Sequence, residues 1–192
     1  MLYLIIMKQK NLDEMTFEEL GRLFPIILSE HNPEWREIFE REKKAIIAAA
    51  GEYIIAVHHI GSTAVEGLKA KPTIDIAIEI KNGADLKAFK DSVINIGYEM
   101  SWQKDNPPPH MMFMKGYSLE GFKGQAYHLH VRYTGGFADE LIFRDYLRGN
   151  EKARRDYAEL KIKLQKQYEF DREGYTQSKG EFIKNIVGIK KP

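Results

Sequence analysis

Residues 73–80 read TIDIAIEI, a strict alternation that puts Ile74, Ile76, Ile78 and Ile80 on one face of a strand. Thr73, Asp75, Ala77 and Glu79 fall on the other. A run of period two does not sit as a helix, so the segment dictates a sheet whose apolar face must be covered. The aspartate is the anomaly. A carboxylate on so apolar a strand is not buried without a partner, which predicts that Asp75 points into a polar cleft.

What precedes this strand sharpens the expectation. YIIAVHHI reads as a strand running into Gly61-Ser62-Thr63, followed by a second glycine and by Lys71 in AKP. A P-loop needs four residues between its first glycine and GK[ST]; here Gly61 and Gly67 are separated by five, and Leu68 stands at the lysine position. The stretch is not GxGxxG either. A different phosphate logic fits: a strand ending in Gly-Ser and a short helical turn TAVEGL offer free backbone N–H groups and hydroxyls, at Gly61, Ser62 and Thr63, to an anion. A metal ion on Asp75 could then bridge to phosphates held at Gly61 and Ser62, with Lys71 neutralising charge. The plainer alternatives are a turn glycine, a capping serine and a solvated loop lysine.

The remainder reads as helices around a β-rich middle. MTFEELGRLF opens with a Thr16–Glu19 capping box and stops at Pro25. In NPEWREIFEREKKAIIAAAG, Asn32 caps, Pro33 takes the first helical position, Trp35, Ile38, Phe39 and Ile46 form the stripe, and Gly51 ends the helix. A helix over about 84–96 stops at Gly97. YEMSW, HMMFMKG and QAYHLHVRY read as strands, with a rigid DNPPP before the second and a hairpin at FMKGYSLEGF. Met111, Met112 and Met114 read as core filler. Three helical segments follow, in FADELIFRDYLRG, EKARRDYAELKIKLQKQYEF and SKGEFIKNIVG. The fold class is therefore α+β: a mixed twisted sheet with packed helices and a C-terminal helical segment. The expected organisation is an N-terminal extension and helix over 1–31, then one domain over 32–192.

Bulk properties exclude several functions. The chain has 29 Lys+Arg against 28 Asp+Glu, so no excess charge argues for nucleic acid or an acidic membrane as partner. It has no cysteine, which removes disulfides, thiolate metal sites and a cysteine nucleophile and suits a reducing, cytoplasmic setting. MLYLIIM is too short to span a bilayer and reads as an edge strand, or as an extension ahead of a start at Met7.

In YHLHVR, His128, His130 and Arg132 share one strand face. His128 and His130 read as metal ligands, as a polar strand face or as donors to a phosphate. His59 is a further candidate, and at most one of His58 and His59 can face the cleft. His31 and His110, beside prolines, are given no role.

HIGSTAVEGLKAKPTIDI resembles the signature of the GrpB family, also called UPF0157. Further similar stretches are HLHVR at 128–132, FRDYLR at 143–148, YAELK at 157–161, and the tyrosine and lysine of YTQSKGEFI, so the resemblance runs from about Asn32 to Ile186. It implies a nucleotidyltransferase-like fold, in which Gly-Ser opens a helix and an acidic strand follows about a dozen residues later. Twelve residues separate Ser62 from Asp75. It implies a nucleoside triphosphate as small-molecule substrate, transfer of its monophosphate to an acceptor, and two divalent ions, Mg2+ or Mn2+, held by three carboxylates. Arg144, Lys161 and Lys179 match family positions, which implies that Lys179 or Arg144 reaches the polyphosphate, alongside Arg132. Helical spacing alone would make these lysines and Arg144 surface charges.

The chain departs from that pattern at its second acid. The position on the same face, about 6.6 Å along the strand, is Ala77, and Glu79 lies about 13 Å from Asp75, too far to share an ion. Asp75 with His128 and His130 would then favour another ion, Zn2+ among them. Three functions follow as expectations: a metal-dependent nucleotidyltransferase with Asp75 and Ser62 in catalysis, a nucleotide- or anion-binding module without turnover, and a His/Asp-metal hydrolase on the same fold.

Overall fold

The computed structural model describes residues 11–101 and 109–190. The N-terminal apolar run and most of the DNPPP segment lie outside the described residues. Seven α-helices and five strands are assigned: α1 (Phe17–Leu23), α2 (Trp35–Ala50), β1 (Ile54–Ile60), β2 (Thr73–Ile80), α3 (Leu86–Ile94), β3 (Glu99–Ser101), β4 (Met111–Ser118), β5 (Gly121–Tyr133), α4 (Ala138–Gly149), α5 (Glu151–Gln167), α6 (Arg172–Ser178) and α7 (Gly180–Lys190).

The local chemistry sets these boundaries. The capping box of α1 forms as its sequence demands, Thr16 N–H donating to Glu19 Oε2 at 2.8 Å and Glu19 N–H to Thr16 Oγ1 at 3.2 Å. Helix α2 begins two residues later than expected. Asn32 Oδ1 accepts from Glu34 N–H at 3.0 Å, so Asn32 caps a turn containing Pro33 and the helix proper starts at Trp35. Asp85 caps α3 through the N–H groups of Lys87 and Ala88.

The sheet order is β1-β2-β5-β4-β3. β2 pairs with β5 in parallel and every other neighbouring pair is antiparallel, so the sheet is mixed. The parallel pair requires a crossover, supplied by α3, β3 and β4. The isoleucine face of β2 is covered as the alternation requires. Ile74, Ile76, Ile78 and Ile80 are each fully buried, packed with Trp35, Phe39 and Ile46 of α2, Phe89 and Val93 of α3, Phe113, Leu129 and Val131.

The opposite face is not simply solvated. Thr73, Ala77 and Glu79 are also buried. Phe137 and Leu141 cover Ala77 and Ile60. A second cluster joins Val65 and Leu68 of the glycine loop to Leu147, Ala153, Tyr157 and Ile186 of the C-terminal helices. Ile26 packs with Leu164 and Tyr175. Helices thus flank both faces of a central strand, and β2 opens only at Asp75, whose side chain is 28% exposed.

Because β2 is buried on both faces, trimming its core side is costly. Ile76→Ala should lower unfolding free energy by about 3 kcal/mol, read from the midpoint of chemical denaturation at unchanged m-value.

Candidate functional site

The parallel register sets Asp75 directly beside His128 and puts His130 one step further along the same face. His128 Nδ1 lies 3.2 Å and His130 Nε2 3.6 Å from the same oxygen, Asp75 Oδ1. Burial alone would raise the Asp75 pKa. The hydrogen bonds and charge of His128 and His130 outweigh it and hold the carboxyl well below its usual range. Burial lowers the pKa of His128, favouring the neutral imidazole that a metal needs. Its other nitrogen, Nε2, is 2.6 Å from the Tyr117 hydroxyl, and the two rings stack. That contact fixes the ring and leaves Nδ1 for Asp75 or an ion.

Facing this trio is the glycine turn. Gly61 has φ 70°, in the left-handed region, and directly follows Ile60, the last residue of β1, which pairs with Asp75 in the antiparallel ladder with β2. A Cβ at Gly61 would fall inside van der Waals contact of Asp75 Oδ2 and 3.0 Å from the Asp75 Cβ, so only glycine lets the turn pass this close to the carboxylate. The segment after it is a single 3-10 turn, Ser62–Ala64, rather than the expected α-helical start. Its internal bonds use the N–H groups of Ala64 and Val65, leaving those of Ser62 and Thr63 outside the turn's own pairing. With so short a turn, cations and backbone groups, not a helix dipole, must carry any anion binding.

Side chains hold the turn from several directions. Arg148 donates from Nε and Nη2 to Ala64 O at 3.0 and 2.9 Å. Arg144 Nη1 donates to His59 O at 3.0 Å. Lys161, only 2% exposed, donates to Lys69 O and lies 3.2 Å from Ser62 Oγ. From the core side, His59 stacks on Phe39 with ring centroids 4.6 Å apart and meets Thr63 Oγ1 at 3.0 Å; that hydroxyl donates on to Thr73 O. Burial, reinforced by Arg148 and Arg144 against the pull of Asp75, pushes His59 down to about 4, so it serves as a neutral brace and not as a member of the trio.

A cavity of about 560 Å³ separates the trio and turn from the helical tail. Lys71, Lys161, Lys179, Arg172 and Tyr175 also line it. Lys71 and Lys179 both sit over the Tyr175 ring, at 5.4 and 4.3 Å from its centroid, and neither ammonium has a hydrogen-bond acceptor or carboxylate partner among the described residues. Burial first, then neighbouring cations, push Lys71 down to about 7; burial likewise brings Lys179 to about 8, with Arg172 adding to the effect. Unpaired, desolvated ammonium groups around a cavity are the electrostatic complement of an anion.

Of the residues expected at a phosphate, Gly61, Ser62, Lys71 and Lys179 therefore converge on the cavity. Three others line it with most of their polar groups engaged, Arg132 keeping a buried Nε without a partner among the described residues. Thr63 is 3% exposed and its hydroxyl is committed to His59 and Thr73. Arg144 forms a two-point pair with Asp145, at 2.8 and 3.0 Å, besides its bond to His59 O. Arg132 Nη1 pairs with Glu140 at 2.8 Å and its guanidinium covers Phe137. Met112 lines the cavity and does not fill the core.

The donor set passes a simple test for a metal. One ligand atom from each of Asp75, His128 and His130 lies within 4.8 Å of the others. Two imidazoles and one carboxylate suit zinc or iron better than magnesium. Among the described residues no second acid joins them. Ala77 is sealed under Phe137 and Ile60, and Glu79 is turned to His58 at 4.0 Å.

A sequence model of the GrpB protein family matches residues 25–188. The chain belongs to the GrpB family. A UPF0157 protein of Pseudomonas aeruginosa is 36% identical over 157 residues, covering 82% of this chain and 64% of its own length, so the chain spans less than two thirds of that relative. The crystal structure of the conserved protein GrpB from Enterococcus faecalis superposes with a TM-score of 0.73 at 28% identity, covering 85% of this chain and 96% of that one. The α+β architecture is thus the GrpB fold. A looser likeness, TM-score 0.48 at 11% identity over 77% of this chain and 46% of the other, is to the Cid1 poly(U) polymerase bound to MgGTP. A likeness so loose says nothing of what a GrpB protein does.

Residues that sequence reasoning passed over come mostly from helices. Arg148, Tyr157 and Tyr175 lie in the family-like stretches but were given no role, Arg172 and Tyr117 lie in none, and α6, which brings Arg172 and Tyr175, is too short to show a stripe. Tyr117 had a signal: it lies on the hairpin strand pairing with HLHVR. The closest steric constraint gives a test. Gly61→Ala should displace Asp75 and weaken zinc binding by about tenfold or more, measured by competition with a chromophoric chelator, with folding checked by circular dichroism.

Proposed function

We propose that this GrpB protein is a metal-dependent, nucleotidyltransferase-like enzyme that binds a nucleoside triphosphate and transfers its monophosphate to an acceptor. The observation that carries this reading is the opposition, across one cavity, of the Asp75–His128–His130 trio and the unpaired ammonium groups of Lys71 and Lys179. Asp75, His128 and His130 would hold a divalent ion, which when bound supplies Lewis-acid charge to phosphate oxygens. Lys71 and Lys179 take the negative charge of the phosphate tail, and the uncommitted N–H groups of the Gly61 turn orient it. The apolar lining from Val65, Phe143, Leu147 and Ile183 excludes water and offers a surface to a base. Nucleotide chemistry and the absence of cysteine favour the cytoplasm as its place of action.

A second reading, a binding module without turnover, is favoured by the apolar seal over Ala77, which removes a carboxylate from the transition state more than from the bound ground state. Pyrophosphate release separates the two: it accompanies transfer and is absent from binding alone.

Calorimetric titration with ATP and GTP, in the presence of zinc, manganese or magnesium, tests the leading reading. Wild-type protein should bind nucleotide and metal together, and Asp75→Ala should lose metal and weaken nucleotide binding by roughly a hundredfold. Equal binding by both proteins would sink the assignment.

The lysines add a pH signature. Lys71 and Lys179 titrate near 7 and 8, so both are charged below neutrality and lose charge as pH rises. Affinity for inorganic triphosphate, without added metal, should therefore fall above pH 8 by about tenfold per unit for each lysine that must regain its proton. A flat affinity there would show that these lysines do not hold the anion.

A further inference from the structure

Ser62 is placed in a way that phosphate binding alone does not require. Its Oγ lines the cavity, as Tyr157 does, and is 3.2 Å from Lys161 Nζ. Lys161 is among the most deeply buried side chains, yet no carboxylate pairs with it among the described residues. Its surroundings are Lys69 O, which can only accept, Ser62 Oγ, the Tyr157 ring 4.9 Å away, and the cations Lys71 and Lys179. One N–H is committed to the Lys69 carbonyl. In the neutral amine the lone pair is then free to accept the serine proton. A buried amine between two other ammonium groups, with no counter-ion, is driven towards that neutral form.

We propose that Ser62 is a nucleophile and Lys161 its general base, a serine–lysine pair set in the wall of the cavity. The nucleophile itself stands on the Ser62–Lys161–Tyr157 geometry. Its natural electrophile, the α-phosphorus of a bound nucleoside triphosphate, rests on the functional reading above. The step balances: Ser62 Oγ forms a bond to the α-phosphorus, the bond from that phosphorus to the bridging oxygen breaks, and pyrophosphate leaves with the electron pair. The hydroxyl proton passes to Lys161 Nζ. The product is a nucleotidyl-serine, from which an acceptor can take the nucleotide in a second displacement. Burial and the neighbouring Lys179 and Lys71 bring Lys161 down to about 7, which keeps a substantial fraction of it unprotonated at neutral pH.

A fluorophosphonate probe tests the nucleophile without needing the natural substrate. The full-length protein is incubated with the probe over a pH series, and the modified residue is located by peptide mass spectrometry. Ser62 should carry the label, at a rate that rises with pH through about 7 as Lys161 loses its proton. Lys161→Met should cut that rate by roughly a hundredfold, and Ser62→Ala should remove the label. Circular dichroism and thermal melting confirm that each variant is folded; should Lys161→Met not fold, the wild-type pH profile decides. An unlabelled Ser62, a rate indifferent to pH around neutrality, or labelling of folded Lys161→Met at the wild-type rate would each overturn the proposal. A parallel incubation with ATP and manganese should add one adenylyl group to Ser62 with release of pyrophosphate. If the fluorophosphonate labels Ser62 and ATP does not, the nucleophile stands and the triphosphate is the wrong electrophile.

Discussion

Everything in the cavity depends on the parallel pairing of β2 with β5. It sets Asp75 level with His128 and His130 one repeat further on. A slip of one residue would turn the histidines into the core and bring Leu129 to the carboxylate, because side chains alternate faces with period two. The register is secured by what lies behind it. Ile74, Ile76 and Ile78 of β2 and Leu129 and Val131 of β5 are fully buried on the α2–α3 side, so no shifted pairing keeps both faces satisfied. The apolar alternation that makes the fold is thus also what aims the polar residues.

The second constraint is the return of the chain past that carboxylate. Gly61 passes Asp75 more closely than any side chain would allow, and the turn beyond it is pinned by Arg144, Arg148 and Lys161. These cations reach in from α4 and α5, more than eighty residues later in the chain. Formation of the site therefore waits on docking of the helical tail. Two of the three pins have defined roles there, with Arg144 bracing β1 through His59 O and Arg148 closing the turn at Ala64 O. Lys71 and Lys179 differ in kind: beyond the Tyr175 ring they have no hydrogen-bond acceptor or carboxylate partner among the described residues, and a desolvated ammonium without one is costly. Groups held at such cost in a cavity point to a ligand rather than to stability.

How legible this was follows from the range of each signal. Alternation, caps and glycine stops are local, and they gave the strands, the α1 box and the shared face of His128 and His130; their grouping with Asp75 came with the family resemblance. Helical faces were less transparent. Leu160, Lys161 and Leu164 repeat as an ordinary amphipathic stripe would, so nothing local marks Lys161 as a buried cation instead of a solvated one. Arg132 and Arg144 had the opposite fate. Their charges suit a phosphate, but acids on α4, Glu140 and Asp145, meet them first. Ala77 was correctly seen as a missing acid, while its burial under Phe137 depends on a helix that begins sixty residues downstream. Partner choice across such separations is settled by tertiary packing, which no window of sequence contains.

The loss of acid is better understood through charge than through ligand count. Two divalent ions held by three carboxylates, as the nucleotidyltransferase resemblance implies, leave a formal charge of plus one to meet a triphosphate. One divalent ion held by Asp75 and two neutral imidazoles leaves the same plus one. Removing two acids and one ion together therefore preserves the electrostatic offer made to the ligand while abandoning the paired-ion clamp. What the clamp would have done for the attacking oxygen must then be done by the protein. Under the functional reading proposed above, Ser62, with a buried amine as its proton acceptor, would take that function from the turn that passes Asp75.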